Sequence, residues 1–137
     1  MKGYNFIMMN KADNTKNFIS SYPDVEVITK DINNAINTIG IPPNINGYYY
    51  LRDAILIRMH LNVSSKINIG YIYKEVANIH NTSIYTVERS IRYAIDVLRK
   101  RDRIEHFNRF LGWEAFKTFD KPTNSEFIIF VAKNLKG

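Results

Sequence analysis

Apolar residues recur at spacings of three and four positions from Thr29 onward, which is the pattern of amphipathic α-helices. The first such segment stops at Gly40, Pro42 and Pro43, because glycine favours the conformation that ends a helix and proline cannot continue one. Its apolar face consists of Ile32, Ala35, Ile36 and Ile39. No convincing strand pattern follows residue 27, so the sequence predicts an all-α fold.

Five more segments have helical spacing, which predicts a compact domain of about six helices over residues 29–137. They are "GYYYLRDAILIRMHL", residues 72–80, residues 83–100, "RIEHFNRFLG" and "SEFIIFVAKNLK". Before the last segment, Thr123 and Glu126 have the spacing of a capping box, in which two side chains satisfy backbone amides of the first turn.

Residues 1–28 precede this domain and are interpreted as an extension that is irregular or contains a short strand at "YNFIMM". No apolar run approaches the roughly 18 residues that a membrane span needs, and the N-terminus lacks the pattern of a signal peptide. The sequence contains no cysteine, which excludes disulfides and cysteine-based zinc sites. These features predict a soluble, cytoplasmic protein.

The chain is basic, with 19 Lys and Arg residues against 13 Asp and Glu residues and a formal net charge of +6. A surplus of positive charge favours an acidic partner, and nucleic acid is the leading candidate. The surplus alone does not establish such a partner.

The third and fourth predicted helices have the features of a helix-turn-helix, in which the second helix enters the major groove of DNA. Ala77 is small enough for the two helices to cross closely, and Asn81 tolerates the left-handed backbone conformation that such a turn requires. Ser83 has a hydroxyl that can cap the fourth helix, which is the predicted recognition helix over about residues 83–100.

The predicted recognition helix has an apolar face and a polar face. The apolar residues expected to hold it to the core are Ile84, Val87, Ile91, Ile95 and Leu98. The polar face groups Tyr85, Glu88, Arg89 and Arg92, and the first three are expected to contact bases. The residues expected at the DNA backbone are Lys74, Ser83, Arg92, Lys100, Arg101 and Arg103. From spacing alone, a solvated surface helix is the alternative interpretation.

Other functional sites are not expected. His60, His80 and His106 are too isolated from one another to form a metal site, and His80 is expected in a turn or at the surface. Arg52 and Asp53 are interpreted as an ion pair. No residue pattern indicates catalysis or a cofactor.

The chain resembles a known family through three uncommon strings, "GIPPNINGYYYLRDAI", "YIYKEVANIHNTSIYTVERSIRYAIDV" and "KPTNSEF". The family is the C-terminal DNA-binding effector domain of the sporulation-initiation response regulator of spore-forming bacteria. The resemblance implies a six-helix domain whose third and fourth helices form a helix-turn-helix. It implies binding to boxes related to TGTCGAA, often as a tandem homodimer, and contact with RNA polymerase sigma subunits. It also implies that the "VER" motif, here at residues 87–89, reads bases.

Three departures from the family pattern affect these expectations. The resemblance implies a base contact at Thr86, where the family has an arginine, so one guanidinium is missing there. Ile84 replaces a proline of the first turn. Asp102 replaces a glycine in the loop after the recognition helix, which puts the polymerase contact in doubt. Residues 1–28 are too few for a phosphorylatable receiver domain, so control by aspartyl phosphorylation is not expected.

We therefore predict a sequence-specific DNA-binding transcriptional regulator that is associated with the nucleoid and is not an enzyme. The alternative is an interaction protein that has kept the fold without reading DNA. Such a protein would pair with a full-length regulator and modulate it.

Overall fold

The computed structural model describes residues 25–61, 68–117 and 120–136, and the "YNFIMM" segment lies outside these ranges. The described residues form six α-helices, and a single 3-10 turn over Asp96–Arg99 follows the fourth helix. The helices are α1 (Val25–Ile39), α2 (Asn46–His60), α3 (Ile69–Ile79), α4 (Ile84–Ile95), α5 (Arg101–Leu111) and α6 (Asn124–Lys136). No strand occurs in the described ranges, so the all-α prediction is confirmed.

Helix α1 begins four residues earlier than its periodicity predicts, at Val25 rather than near Thr29. Val25 is buried and lies seven positions before Ile32, which is two helical turns along the same face. The helix ends at Gly40, where φ is 110° and the amide donates to the carbonyl oxygen of Ile36 over 3.1 Å. A left-handed glycine at this point is a common way for a helix to end.

Helix α2 is the central element of the fold, because it packs against α1, α3, α4 and α6. Its buried residues occupy most of its circumference, which is typical of a helix enclosed on all sides. Helices α3 and α4 pack on it as a pair, whereas α1 and α5 pack against each other and against the rest of the core from another direction. The α3–α4 pair is thus held in place by its packing on α2.

The ends of α5 and α6 follow the predicted signals. Gly112 adopts a left-handed conformation with φ of 88° immediately after α5. At the start of α6, the Glu126 amide donates to Oγ1 of Thr123 over 3.1 Å, and the Thr123 amide donates to Oε1 of Glu126 over 2.9 Å. The capping box is therefore confirmed. Phe107 and Phe127 stack at 5.1 Å and join the two helices through the core.

Candidate nucleic-acid interface

The turn between α3 and α4 has the geometry that a helix-turn-helix needs. Asn81 has a positive φ of 55°, as its residue type predicts. The Thr82 amide donates to the Ala77 carbonyl oxygen over 2.9 Å, which ties the chain leaving the turn to the last turn of α3. Ala77 is buried on α3, and α3 packs against α4. The two helices are consequently fixed relative to each other.

Helix α4 is shorter than predicted. Its α-helical part ends at Ile95, and the 3-10 turn and the extended Lys100 separate it from α5. Asp96 stabilises this junction, since its Oδ1 accepts from Nε of Arg99 over 2.9 Å and from Nζ of Lys121 over 2.7 Å. Lys121 and Arg99 also lower the pKa of the Asp96 carboxyl. The chain thereby changes direction before the basic residues at positions 101 and 103.

The apolar face predicted over residues 83–100 is confirmed at four positions, of which Leu98 lies in the 3-10 turn, and is wrong at one. Val87, Ile91, Ile95 and Leu98 are fully buried. Ile84 was expected among them, but its side chain is 47% exposed, so that assignment to the core is wrong. Ile84 is the first residue of α4 and lies one turn before the buried Val87, and periodicity alone does not show where along a helix face the core stops covering it.

The cap of α4 involves two of the predicted site residues. Oγ of Ser83 accepts from the Thr86 amide over 3.0 Å, and the Ser83 hydroxyl donates to Oγ1 of Thr86 over 2.9 Å. Ser83 is thus the N-cap that the sequence predicts. The Ser83 hydroxyl thereby stabilises the N-terminal end of α4. The N-terminal end of a helix carries a partial positive charge, which favours a nearby anion.

The exposed face of α4 carries the remaining predicted base readers. The Arg89 guanidinium lies over the Tyr85 ring at 5.2 Å, which is a cation–π contact between neighbours at i and i+4. Oε2 of Glu88 accepts from Nη2 of Arg92 over 2.6 Å, also at i and i+4. No ion pair within the described ranges includes Arg89, so its charge is available to a ligand.

The residues predicted at the DNA backbone lie in two regions. Lys74 is exposed on α3, and Lys100 is exposed after the 3-10 turn. Arg101 begins α5, and its side chain is outside the description. Arg103 is half-buried against the end of α1, where a Cβ added at Gly40 would lie 2.7 Å from its Nη1. Arg103 is therefore placed beside α1 rather than beside α3 and α4.

Three residues that position the helix pair were not predicted as such. At Gly47 on α2, an added Cβ would lie only 2.3 Å from the Ser90 carbonyl oxygen, so a side chain there would push α4 away. A glycine in the first turn of a helix, at "NGYYY", was the available signal.

The second positioning residue is Asn124, at the start of α6. Its Nδ2 donates to the Tyr73 hydroxyl over 3.0 Å and to the Glu88 carbonyl oxygen over 3.2 Å. These bonds join α6 to α3 and to α4 at once. Nothing in the sequence pattern distinguishes this asparagine from an ordinary helix-start residue.

The third is Asp53, which is buried on α2. It pairs with Arg52 at 2.9 Å, as the sequence predicts, and it also accepts from Nε2 of His80 over 2.5 Å. His80 lies in the turn of the helix pair, as expected, but its imidazole is held by this carboxylate. The His80 ring also contacts the Tyr50 ring at 4.9 Å.

Two other kinds of site are absent from the described ranges. No group of three or more His, Asp or Glu side chains there has the arrangement of a metal site. None of the helices described is long and apolar enough to span a membrane.

One comparison with known proteins bears on this site. The family model described as "Sporulation initiation factor Spo0A C terminal" matches residues 32–135, which include all six helices except the first turns of α1 and the last residue of α6. The match includes α3, α4 and the turn between them.

Proposed function

The chain belongs to the family of the sporulation initiation factor Spo0A C-terminal domain, and from this premise we propose that it is a sequence-specific regulator of transcription. The family is one of DNA-binding effector domains. In this proposal, α4 enters the major groove of double-stranded DNA and reads base edges with its N-terminal half. The protein would accordingly be located at the nucleoid.

The observation that carries the proposal is the exposure and orientation of the Arg89 side chain. Its guanidinium is exposed on α4, is oriented by the Tyr85 ring at 5.2 Å and is free of ion pairs within the described residues. An arginine presented in this way can donate two hydrogen bonds to O6 and N7 of a guanine. We assign Arg89 as the main base reader, with Tyr85 and Thr86 beside it.

Glu88 and Arg92 have a linked role in this proposal. In the free protein their side chains neutralise each other across 2.6 Å. On DNA, Arg92 is assigned to a phosphate, which releases the Glu88 carboxylate to accept from the amino group of a cytosine. Because the pair is exposed, separating the two charges costs less than about 1 kcal/mol.

The phosphate contacts are assigned to exposed positive side chains and to the capped end of α4. Lys74 on α3 and Lys100 after the 3-10 turn are the main candidates, with Ser83 at the N-terminus of α4. Arg101 is also assigned to a phosphate contact. Arg103 is the weakest candidate for such a contact because it lies against the end of α1. Binding of two copies to tandem boxes, and contact with an RNA polymerase sigma subunit, complete the proposal.

The test is a binding titration on a duplex selected by the full chain from a random pool. A scrambled duplex of equal composition serves as reference, and both are titrated at several salt concentrations. Replacing Arg89→Ala is expected to reduce the ratio of specific to scrambled affinity about fivefold to 100-fold, because one bidentate base contact is lost. Thermal unfolding verifies that the variant is folded.

The matched control is Arg109→Ala, which removes the same charge from an exposed position on α5. This variant is expected to keep the wild-type ratio, since among the described residues α5 packs mainly on α1, α6 and the 3-10 turn. Equal affinity of the wild-type chain for every duplex would refute sequence-specific reading.

The second candidate is an interaction protein that pairs with a full-length regulator without reading DNA. Thr86 supports this candidate, because its hydroxyl is bonded to Ser83 and it lacks the guanidinium found at this position in the family. Retention of a full-length relative in a pull-down, by a chain that shows no sequence preference in the titration, would support this second function.

A further inference from the structure

Ile84 is an apolar residue whose position the core does not explain. It is the first residue of α4 and is 47% exposed. Among the described residues, it belongs neither to the buried core nor to the partly buried side chains packed against that core. A single exposed isoleucine is common on protein surfaces, so a role for Ile84 has to be argued from its position in the helix-turn-helix.

The polar side chains around Ile84 are engaged with one another. Ser83 and Thr86 share hydrogen bonds at 2.9 and 3.0 Å, and the Tyr85 ring lies under Arg89. The first residue of α4 therefore presents an aliphatic side chain that has no core partner among the described residues. In a helix-turn-helix docked on DNA, the first turn of the second helix is the part nearest the base edges.

The chemistry of isoleucine narrows what it can contact there. The isoleucine side chain can neither donate nor accept a hydrogen bond. Against a base amino group, carbonyl oxygen or ring nitrogen it would displace hydrating water without replacing the lost hydrogen bonds. The one apolar feature that a base pair presents in the major groove is the C5 methyl group of thymine. We infer that Ile84 is a specificity-determining residue that reads a thymine by contact with this methyl group.

This inference rests on the proposed function, since it requires α4 to lie in the major groove. It adds a residue that contributes preference for A·T pairs without a hydrogen bond, next to an arginine assigned to guanine. Removing the methyl group from the base, while leaving base pairing unchanged, isolates the contact. Deoxyuridine in place of thymidine makes this single change.

The experiment uses the full chain and a duplex that it selects from a random pool. Each thymidine of the selected box is replaced in turn by deoxyuridine, and the dissociation constant is measured for each duplex. At one position the substitution is expected to weaken wild-type binding about fourfold, which corresponds to burial of one methyl group. Ile84→Ala is expected to bind the thymidine and deoxyuridine duplexes equally at that position.

Two further variants make the result specific. Ile84→Val keeps a branched side chain and is expected to retain part of the penalty. Val27→Ala shortens another exposed aliphatic residue, 59% exposed on α1, and is expected to retain the whole penalty. Both positions are exposed, so the variants are expected to fold.

The outcomes separate this inference from the function on which it rests. A random pool from which no sequence is enriched overturns the proposed function, and the inference with it. An enriched box in which every deoxyuridine penalty persists in Ile84→Ala overturns the inference alone. The inference alone is also overturned if a box is enriched but no deoxyuridine substitution weakens binding by the wild-type chain.

Discussion

The imidazole of His80, in the turn of the helix pair, donates to the carboxylate of Asp53 on α2, with Nε2 and Oδ2 2.5 Å apart. Asp53 is only 7% exposed and holds Arg52 with its other oxygen. A buried carboxylate with two partners is favourable only while both remain, because the desolvated charge needs compensation. The bond therefore fixes the turn to the central helix of the fold.

Replacing Asp53→Ala is expected to lower the free energy of unfolding by about 2 kcal/mol, because His80 and Arg52 lose their shared acceptor. Urea denaturation followed by circular dichroism measures this change. Glu105→Ala, at an exposed position of α5, is the control and is expected to change stability by less than about 0.5 kcal/mol. Wild-type stability of Asp53→Ala would show that the turn does not depend on this carboxylate.

Gly47→Ala is expected to destabilise the protein, although alanine is a better helix former than glycine by about 1 kcal/mol. The new Cβ would lie 2.3 Å from the Ser90 carbonyl oxygen and 2.8 Å from the Ala94 Cβ, so α4 must shift. The expected loss is about 2 kcal/mol, together with weaker DNA binding. Equilibrium denaturation and a binding titration measure the two effects.

The control for Gly47 is Gly70→Ala in the first turn of α3. There the added Cβ would lie 3.1 Å from Oδ1 of Asn68, the N-cap of α3, so the cap needs to shift by only a few tenths of an ångström. This variant is expected to stay within about 1 kcal/mol of the wild type. A stabilised Gly47→Ala protein would contradict the close approach of α2 and α4.

Burial raises the pKa of the Glu75 carboxyl from an ordinary 4.5 to about 7, although Tyr71 and Lys74 lower it in part. Glu75 is 5% exposed, and its Oε1 has no hydrogen-bond partner among the described residues. The folded-state pKa lies above that of the unfolded chain. The stability from protonated Glu75 is thus full below pH 4.5 and is lost as the pH rises through 7.

Glu75→Gln removes this titration. Relative to the variant, the wild type is expected to lose up to about 3 kcal/mol of unfolding free energy between pH 4.5 and 7.5. Denaturant titrations of both proteins across this range measure the difference. Glu105→Gln, at an exposed site, is expected to keep the wild-type profile. A constant difference between wild type and Glu75→Gln would refute the shifted pKa.

Thr86→Arg is expected to raise affinity for a box related to TGTCGAA about tenfold, because it restores a guanidinium that can donate twice to guanine. The cap of α4 should survive, since Ser83 accepts from the backbone amide of residue 86 and not from its side chain. Thr86→Lys adds the same charge without the planar fork and should strengthen all duplexes alike. No preferential gain in Thr86→Arg would contradict this role for position 86.

Local signals in the sequence determined the helices and most of their ends. Apolar spacing predicted six helices, and Gly40, Gly112 and the Thr123–Glu126 box marked three ends correctly. Asn81 also takes the conformation that its residue type favours. These signals succeed because each depends on the backbone within one or two turns of the residue concerned.

The tertiary structure decided which residues those helices place together. Periodicity assigned Ile84 to the core, whereas the structure leaves this first residue of α4 47% exposed. Positive charge suggested a phosphate contact for Arg103, but charge could not show that the chain turns at Lys100 and places Arg103 beside the end of α1. Contacts between distant residues, such as His80 with Asp53, depend on how helices pack, and no local pattern encodes that arrangement.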